Sequence, residues 1–168
     1  MKKIKKVIFT CGGTAGHINP AIAVANSWKE RHPDSKILFI GGKGSGKTKT
    51  IIEQMNNACQ VTDGHIVCIE KGMKSTYNIK PSIRIIDVDD YNIRGYDQYF
   101  GFIMGVLAGD YDIEQVYMDG SLKIGGGDLE GLGALLDHIN DVAPEYVKVI
   151  VTVSADMSAL TDNLKKYL

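Results

Sequence analysis

The stretch KILFIGGKGSGKTKT, which runs from Lys36 to Thr50, decides the fold that we expect for this chain. It begins as a short apolar run of the kind that forms a buried strand, becomes rich in glycine, and ends in a helical pattern. The segment Gly41 to Thr48 matches G-x-x-x-x-G-K-S/T, the pattern of a phosphate-binding loop between a strand and a helix. The stretch therefore predicts an α/β protein in which this loop binds phosphate.

The residue types in this loop suit the chemistry of nucleotide phosphates. Glycines let the backbone turn its amides inward, towards an anion at the start of the following helix. Lys47 is expected to bridge the β- and γ-phosphates of ATP, and the hydroxyl of Thr48 is expected to bind Mg²⁺. The alternative is a glycine-rich turn that binds nothing. The predicted nucleotide-binding segment consists of Gly41, Gly42, Lys43, Gly44, Ser45, Gly46, Lys47, Thr48 and Lys49.

Around this loop, short runs rich in Val and Ile alternate with segments of helical period. Strands are predicted over Lys5 to Thr10, Lys36 to Ile40, His65 to Glu70, Ile83 to Val88, Gln115 to Asp119 and Val147 to Ser154. Helices are predicted over Pro20 to Arg31, Lys47 to Ala58, Tyr96 to Ala108, Leu129 to Ile139 and Ser158 to Tyr167, the last with Ser158 as its cap. We expect one domain over residues 1–168: a three-layer α/β/α sandwich with a mainly parallel sheet, Rossmann-like and P-loop NTPase-like, with an added N-terminal βα unit.

Composition and charge argue against several classes of function. The 19 Lys and Arg residues against 20 Asp and Glu residues leave no basic field of the kind that nonspecific nucleic-acid or anionic-membrane binding requires. The longest apolar stretch, Phe100 to Gly109, is about half the roughly 20 residues that a membrane span needs. Cys11, Cys59 and Cys68 lack the spacing of a zinc site. We therefore expect a cytoplasmic protein with a nucleotide as its partner.

Acidic residues at strand ends are candidates for the chemistry beside the loop. Asp119 ends the run VYMD, which has the form of a Walker B motif, and it is expected to hold Mg²⁺ together with Thr48. Gly120 and Ser121 follow it, so no glutamate stands there to activate water. Glu70 ends another strand and is the candidate base, with a solvated strand end as the alternative. Lys47, Glu70 and Asp119 are thus the predicted catalytic residues.

Two glycine-rich segments lie further along the chain. Gly101, Gly105 and Gly109 recur every four residues in the third helix, a pattern that predicts close packing of this helix against the sheet. The segment KIGGGDLEGLG, from Lys123 to Gly133, is predicted to be a flexible loop. It follows the fifth strand, on the edge where α/β proteins place their sites.

From Gly41 onward the chain resembles small P-loop proteins of Firmicutes, which are described as ATP-binding or as PilT-like. The motifs that carry this resemblance are GGKGSGKTKT, IEKG, YFGF, LAGDYDI, YMDGSLKI and TVSAD. The resemblance covers about three-quarters of the sequence and implies nucleotide binding. RecA-like ATPases carry a catalytic glutamate at a place comparable to that of Glu70.

The preceding segment, Val7 to Gly41, resembles the N-terminus of the MurG family of glycosyltransferases. Gly12, Gly13, Thr14, Ala15, Gly16, His17 and Pro20 carry this resemblance. It implies that Gly12 to His17 form part of an acceptor site in which His17 is a candidate base. Such a loop would bind UDP-GlcNAc or a lipid diphosphate. We expect no sugar transfer, because the remaining chain is too short for that family's donor-binding domain. An engineered or natural chimera without biological activity is the further alternative.

Overall fold

The computed structural model describes residues 6–11, 36–41, 47–72 and 78–167. Its strands are β1 (Lys6–Cys11), β2 (Lys36–Gly41), β3 (His65–Glu70), β4 (Ile83–Asp87), β5 (Ile113–Asp119) and β6 (Lys148–Ser154). Its helices are α1 (Lys47–Ala58), α2 (Gly95–Gly109), α3 (Ser121–Ile124), α4 (Leu129–Val142) and α5 (Asp162–Lys165), with a 3-10 turn over Met157–Ala159. The predicted helix Pro20 to Arg31 lies outside the described residues.

The six strands form one sheet in the order β1-β2-β6-β5-β3-β4, and every pairing is parallel. Their carboxyl ends therefore meet at one edge of the sheet, which we call the carboxyl edge. Among the described strands, β1 pairs with β2 alone, in the register Lys6 with Lys36 through Cys11 with Gly41. The N-terminal strand thus extends the sheet on the side of β2, and the predicted parallel α/β architecture is confirmed.

Alternating side chains of β3, which lies between β5 and β4, reach two different cores. Val67 and Ile69 lie in one apolar cluster with residues of α2 and α4, whereas Ile66 and Cys68 lie in another cluster with residues of α1. A strand presents successive side chains to opposite faces, so these two clusters are the two faces of the sheet. With α1 on one face and α2 and α4 on the other, the described elements form three layers.

The glycines of α2 do not pack against the sheet, so that prediction was wrong. Gly101, Gly105 and Gly109 are exposed, and a Cβ atom added at any of them would meet no heavy atom within 4 Å. The buried face of α2 instead carries Tyr99, Ile103 and Leu107, which recur every four residues. Large apolar side chains bury more area than glycine and therefore determine which face of the helix turns inward.

The last helix is also shorter than predicted. Leu160 is buried in the core between the 3-10 turn and α5, and the backbone of Thr161 is extended where it precedes α5. The helix is therefore interrupted, and Thr161 rather than Ser158 stands at its N-cap. None of the helices within the described residues is long and apolar enough to cross a membrane.

Candidate functional site

The predicted phosphate loop leaves the sheet at the carboxyl edge. The strand β2 ends at Gly41, which pairs with Ser154 at the end of β6, and the 12-residue helix α1 begins at Lys47. The residues between them, 42–46, lie outside the described part of the chain. The start of a helix of this length carries unpaired amides and a partial positive charge, which suits an anion at this edge.

The side chain of Lys49 lies on the surface of α1. It is 84% exposed, and its Nζ atom lies 4.0 Å from Oε1 of Glu53, one helical turn further along α1. An exposed pair of this kind contributes little to stability. Lys49 therefore interacts with the surface of α1 in this structure.

Three acidic residues lie side by side at the same edge. Glu70 at the end of β3 is in register with Asp119 at the end of β5 on one side and with Asp87 at the end of β4 on the other. Two strand spacings, about 10 Å, separate β5 from β2. The structure thus places Asp119 and Glu70 next to each other at the carboxyl edge, where β2 also ends.

The carboxylate of Asp119 is held in place by its neighbours. The backbone amide of Gly120 donates to its Oδ1 atom at 3.0 Å, and the hydroxyl of Thr152 on β6 donates to the same atom. Thr152 is only 3% exposed. The sequence analysis missed this residue, although a threonine within the apolar run VKVIVTVS was a detectable signal of a buried polar contact.

Glu70 is the most unusual group at this edge. Its side chain is 4% exposed, and among the described residues its buried Oε1 atom has no hydrogen-bond partner. Burial raises the pKa of the Glu70 carboxyl above its ordinary value, and the charges of Asp119 and Asp87 raise it further. A buried, unpaired carboxylate is costly, and the cost is relieved by a proton or by a cation. The solvated alternative for Glu70 does not fit this burial.

We expect the Glu70→Gln variant to be more stable than the wild type at neutral pH, by about 1 to 3 kcal/mol. The folded protein holds a proton on Glu70 more tightly than the unfolded chain does, because the pKa is raised on folding. The wild type must therefore lose stability as the pH rises from the ordinary glutamate pKa to the raised one. Urea unfolding of both proteins at about pH 4 and about pH 8 measures this. If the difference in free energy of unfolding between variant and wild type is no larger at the higher pH, Glu70 does not have a raised pKa in the folded protein.

An open cleft of about 310 Å³ lies next to the acidic residues. It is formed by α3, by the glycine turn that follows α3, and by the end of β6. The predicted loop from Lys123 to Gly133 is in fact mostly helical, because α3 ends at Ile124 and α4 begins at Leu129. The residues that line the cleft are Gly120, Leu122, Lys123, Gly126, Gly127, Thr152 and Ser154.

A second polar cluster lies at the opposite, amino end of the strands. Nδ1 of His65, the first residue of β3, is 2.7 Å from Oδ2 of Asp110, and Asp112 is close to both. The hydrogen bond and the charge of Asp110 raise the pKa of His65, and the same bond lowers the pKa of Asp110. The backbone amide of Asp112 also donates to Asp110, at 3.0 Å. These groups satisfy one another, and they are not part of the carboxyl edge.

The oxygen atoms at the carboxyl edge suit a hard cation such as Mg²⁺, which binds carboxylates, hydroxyls and phosphate oxygens. The orphaned Oε1 of Glu70 next to the fixed carboxylate of Asp119 is the structural feature that supports this fit. The described residues at this edge offer oxygen ligands rather than a group of thiols and imidazoles, which zinc prefers. The role of Asp119 as a ligand of Mg²⁺ stays a prediction.

Comparison with known proteins identifies short similar segments. No protein-family model matches the chain. The enzyme UDP-N-acetylglucosamine--N-acetylmuramyl-(pentapeptide) pyrophosphoryl-undecaprenol N-acetylglucosamine transferase of Carboxydothermus hydrogenoformans is 58% identical over 36 residues, which is 21% of this chain and 10% of the enzyme. The enzyme of the same name from Cytophaga hutchinsonii is 54% identical over 43 residues, 26% of this chain and 12% of the enzyme. That from Acetivibrio thermocellus is 64% identical over 36 residues, 21% of this chain and 10% of the enzyme.

These matches confirm the resemblance to the MurG family for a short segment. The chain spans about a tenth of the length of the curated relatives that it matches. The resemblance to PilT-like P-loop proteins remains a prediction from the sequence motifs.

Proposed function

We propose that the chain binds ATP with Mg²⁺ at the carboxyl edge of its sheet and hydrolyses it slowly. The observation that carries this proposal is the position of Glu70, buried and with an unpaired oxygen beside Asp119, on the edge where α1 begins after β2. A cation and an anion bound together would neutralise this acidic edge and the positive start of α1 at the same time. A metal-bound polyphosphate supplies both charges.

In this proposal each residue has a distinct role. The backbone from Gly41 to Gly46 and the start of α1 bind the phosphates, and Lys47 neutralises the charge at the β- and γ-positions. Thr48 and Asp119 would hold Mg²⁺, which when bound offsets negative charge on the phosphate oxygens. Thr152 keeps the Asp119 carboxylate oriented through its hydroxyl. These are binding and orienting roles, which account for most of the catalysis in phosphoryl transfer.

Glu70 would orient the attacking water and accept its proton. Its raised pKa makes it a better proton acceptor than an ordinary glutamate, provided that it is ionised in the loaded site. Hydrolysis would be slow without a further cation to stabilise the charge that develops in the transition state. Such a cation is normally an arginine, supplied by the same chain or by a partner.

The second candidate is binding of a sugar nucleotide or a lipid diphosphate through Gly12 to His17. The matched relatives favour it, since their name includes UDP-N-acetylglucosamine as a substrate. The fold is compatible with this candidate as well. β1 ends at Cys11, in register with Gly41 at the end of β2, so these two strands end side by side at the carboxyl edge. Both candidate segments thus follow strands that end at the same edge of the sheet.

Isothermal titration calorimetry with three ligands distinguishes these proposals. ATP with Mg²⁺, ATP with EDTA, and UDP-GlcNAc are titrated into the wild type, Asp119→Asn and His17→Ala. We expect ATP to bind more tightly with Mg²⁺, and we expect Asp119→Asn to lose this Mg²⁺-dependent gain. UDP-GlcNAc binding that is lost in His17→Ala, together with no heat from ATP, would favour the second candidate. A folded protein that binds none of these ligands would favour a chimera without activity.

A further inference from the structure

Four polar residues on four neighbouring strands lie side by side at the carboxyl edge. We call them the polar row, and they are Asp87 of β4, Glu70 of β3, Asp119 of β5 and Thr152 of β6. Glu70 is in register with Asp87 on one side and with Asp119 on the other. The hydroxyl of Thr152 donates to the carboxylate of Asp119. The row therefore crosses four strands without a break.

The polar row lies on the face of the sheet that α1 covers. On each of the four strands, the residue two positions before the row belongs to the apolar cluster of α1 or packs against it; these residues are Ile85, Cys68, Tyr117 and Ile150. Side chains two positions apart on a strand share a face. Neighbouring strands are about 5 Å apart, so three carboxylates stand at close spacing above an apolar layer.

Glu70, in the middle of the three acids, has no positive charge beside it among the described residues. Its side chain is 4% exposed, and its Oε1 atom has no hydrogen-bond partner there. The next residue, Lys71, directs its ammonium group to Asp89 instead. A buried carboxylate between two other carboxylates is costly unless a cation or a proton neutralises it. The described part of the chain supplies no such cation to Glu70.

The two acidic neighbours of Glu70 are held differently. The Oδ1 atom of Asp87 accepts two backbone amides, from the segments after β3 and β4. The Oδ1 atom of Asp119 accepts one amide and the hydroxyl of Thr152. Of the two charges, that of Asp119 raises the pKa of Glu70 more. Asp119 is also partly exposed, whereas Asp87 is buried, so a hydrated ion reaches the row from the side of Asp119.

We propose that Glu70 and Asp119 together bind a divalent cation directly, in protein that contains no nucleotide. Mg²⁺ and Mn²⁺ suit this pair, because such ions bind one or two carboxylates and keep several water molecules. A carboxylate has about four lone-pair sites, so Asp119 can ligate the ion and accept its hydrogen bonds as well. The inference goes beyond the proposed function, in which Glu70 orients water. Neither proposed ligand belongs to the predicted phosphate loop.

The test titrates Mn²⁺ into the nucleotide-free protein at neutral pH. Electron paramagnetic resonance measures the free ion, whose signal is lost on binding. We expect Glu70→Gln and Asp119→Asn each to weaken Mn²⁺ binding at least about tenfold, because each removes one of two charged ligands at almost constant side-chain size. Excess Mg²⁺ should displace Mn²⁺ from the wild type. Equal binding by wild type and Glu70→Gln would overturn the proposal. A wild type that binds no Mn²⁺ would also overturn it, since a proton then neutralises Glu70.

Asp110→Asn is the matched control, because it makes the same chemical change at the opposite, amino end of the strands, where Asp110 pairs with His65. It should bind Mn²⁺ as the wild type does. A loss in this variant alone would place the ion at the His65 cluster, and an equal loss in all variants would indicate an effect of net charge; either result overturns the proposal. Asp87→Asn tests the position within the row. A loss as large as that in Asp119→Asn would overturn the assignment to Glu70 and Asp119.

Thermal melting gives a second readout that does not depend on activity. Mn²⁺ should raise the melting temperature of the wild type but not that of Glu70→Gln. Without metal, this variant should melt no lower than the wild type, which shows that it folds. Calorimetry with ATP separates the inference from the proposed function. If Mn²⁺ binds as expected and ATP does not bind, the proposed function fails and the cation site stands. If ATP binds but the nucleotide-free protein binds no Mn²⁺, the cation site fails alone.

Discussion

Lys47→Ala is expected to weaken the binding of ATP with Mg²⁺ by about 100-fold. The residue begins α1, which follows β2 in the chain, and β2 ends at the same edge of the sheet as the strands that carry Asp119 and Glu70. Without the lysine, only Mg²⁺ and the backbone amides would offset the phosphate charges next to these acids. Calorimetric titration of wild type and variant measures the difference directly.

Lys148→Ala is the control for the loss of one positive charge. Lys148 begins β6, and a strand of this length places it about 20 Å from the carboxyl edge. We expect this variant to bind ATP as the wild type does. Equal heats from wild type and Lys47→Ala would remove the phosphate loop from the proposed function, and an equal loss in both variants would mean that net charge alone controls binding.

The largest effect on stability is expected from Ile103→Ala in α2. Ile103 is fully buried in the core between α2 and the sheet. Removing its side-chain atoms loses apolar contact and leaves a cavity, at a cost of about 2 to 5 kcal/mol. For a chain of this size this cost corresponds to a melting temperature lower by roughly 5 to 15 °C. Thermal unfolding followed by circular dichroism measures the shift.

Gly105→Ala, in the same helix, is the matched comparison and should have the opposite sign. The added methyl group meets no atom within 4 Å, and alanine favours a helical backbone by about 0.5 to 1 kcal/mol over glycine. We therefore expect this variant to melt at a slightly higher temperature than the wild type. A clear destabilisation would mean that another surface covers this face of α2. It would support the prediction that the glycines pack closely against a neighbour.

The glycine-rich segments show where sequence patterns were sufficient and where they were not. The pattern at Gly41 to Thr48 correctly located a strand before it and a helix after it, because both neighbours have strong periodic signals of their own. The three glycines of α2 were assigned to the buried face of the helix, which was wrong. A glycine every four residues is compatible with either face of a helix. The structure shows which face is buried, because the larger apolar side chains Tyr99, Ile103 and Leu107 occupy it.

The candidate site shows the same division. The sequence predicted Asp119 and Glu70 as functional acids from their positions at strand ends, and these positions are correct. It did not predict that Glu70 is buried without a partner among the described residues, or that Thr152 holds Asp119. Each of these depends on which strands are neighbours, and the spacing along the chain contains no such information.

The sequence by itself determined the alternation of strands and helices, because hydrophobic periodicity is a local property that each segment carries independently. It also determined that parallel strands would bring their polar ends to one edge. Only the tertiary structure decided the strand order, which sets β6 between β2 and β5 and places Glu70 between Asp119 and Asp87. The burial and the pKa of an acid depend on its neighbours in space, and these come from segments far apart in the chain.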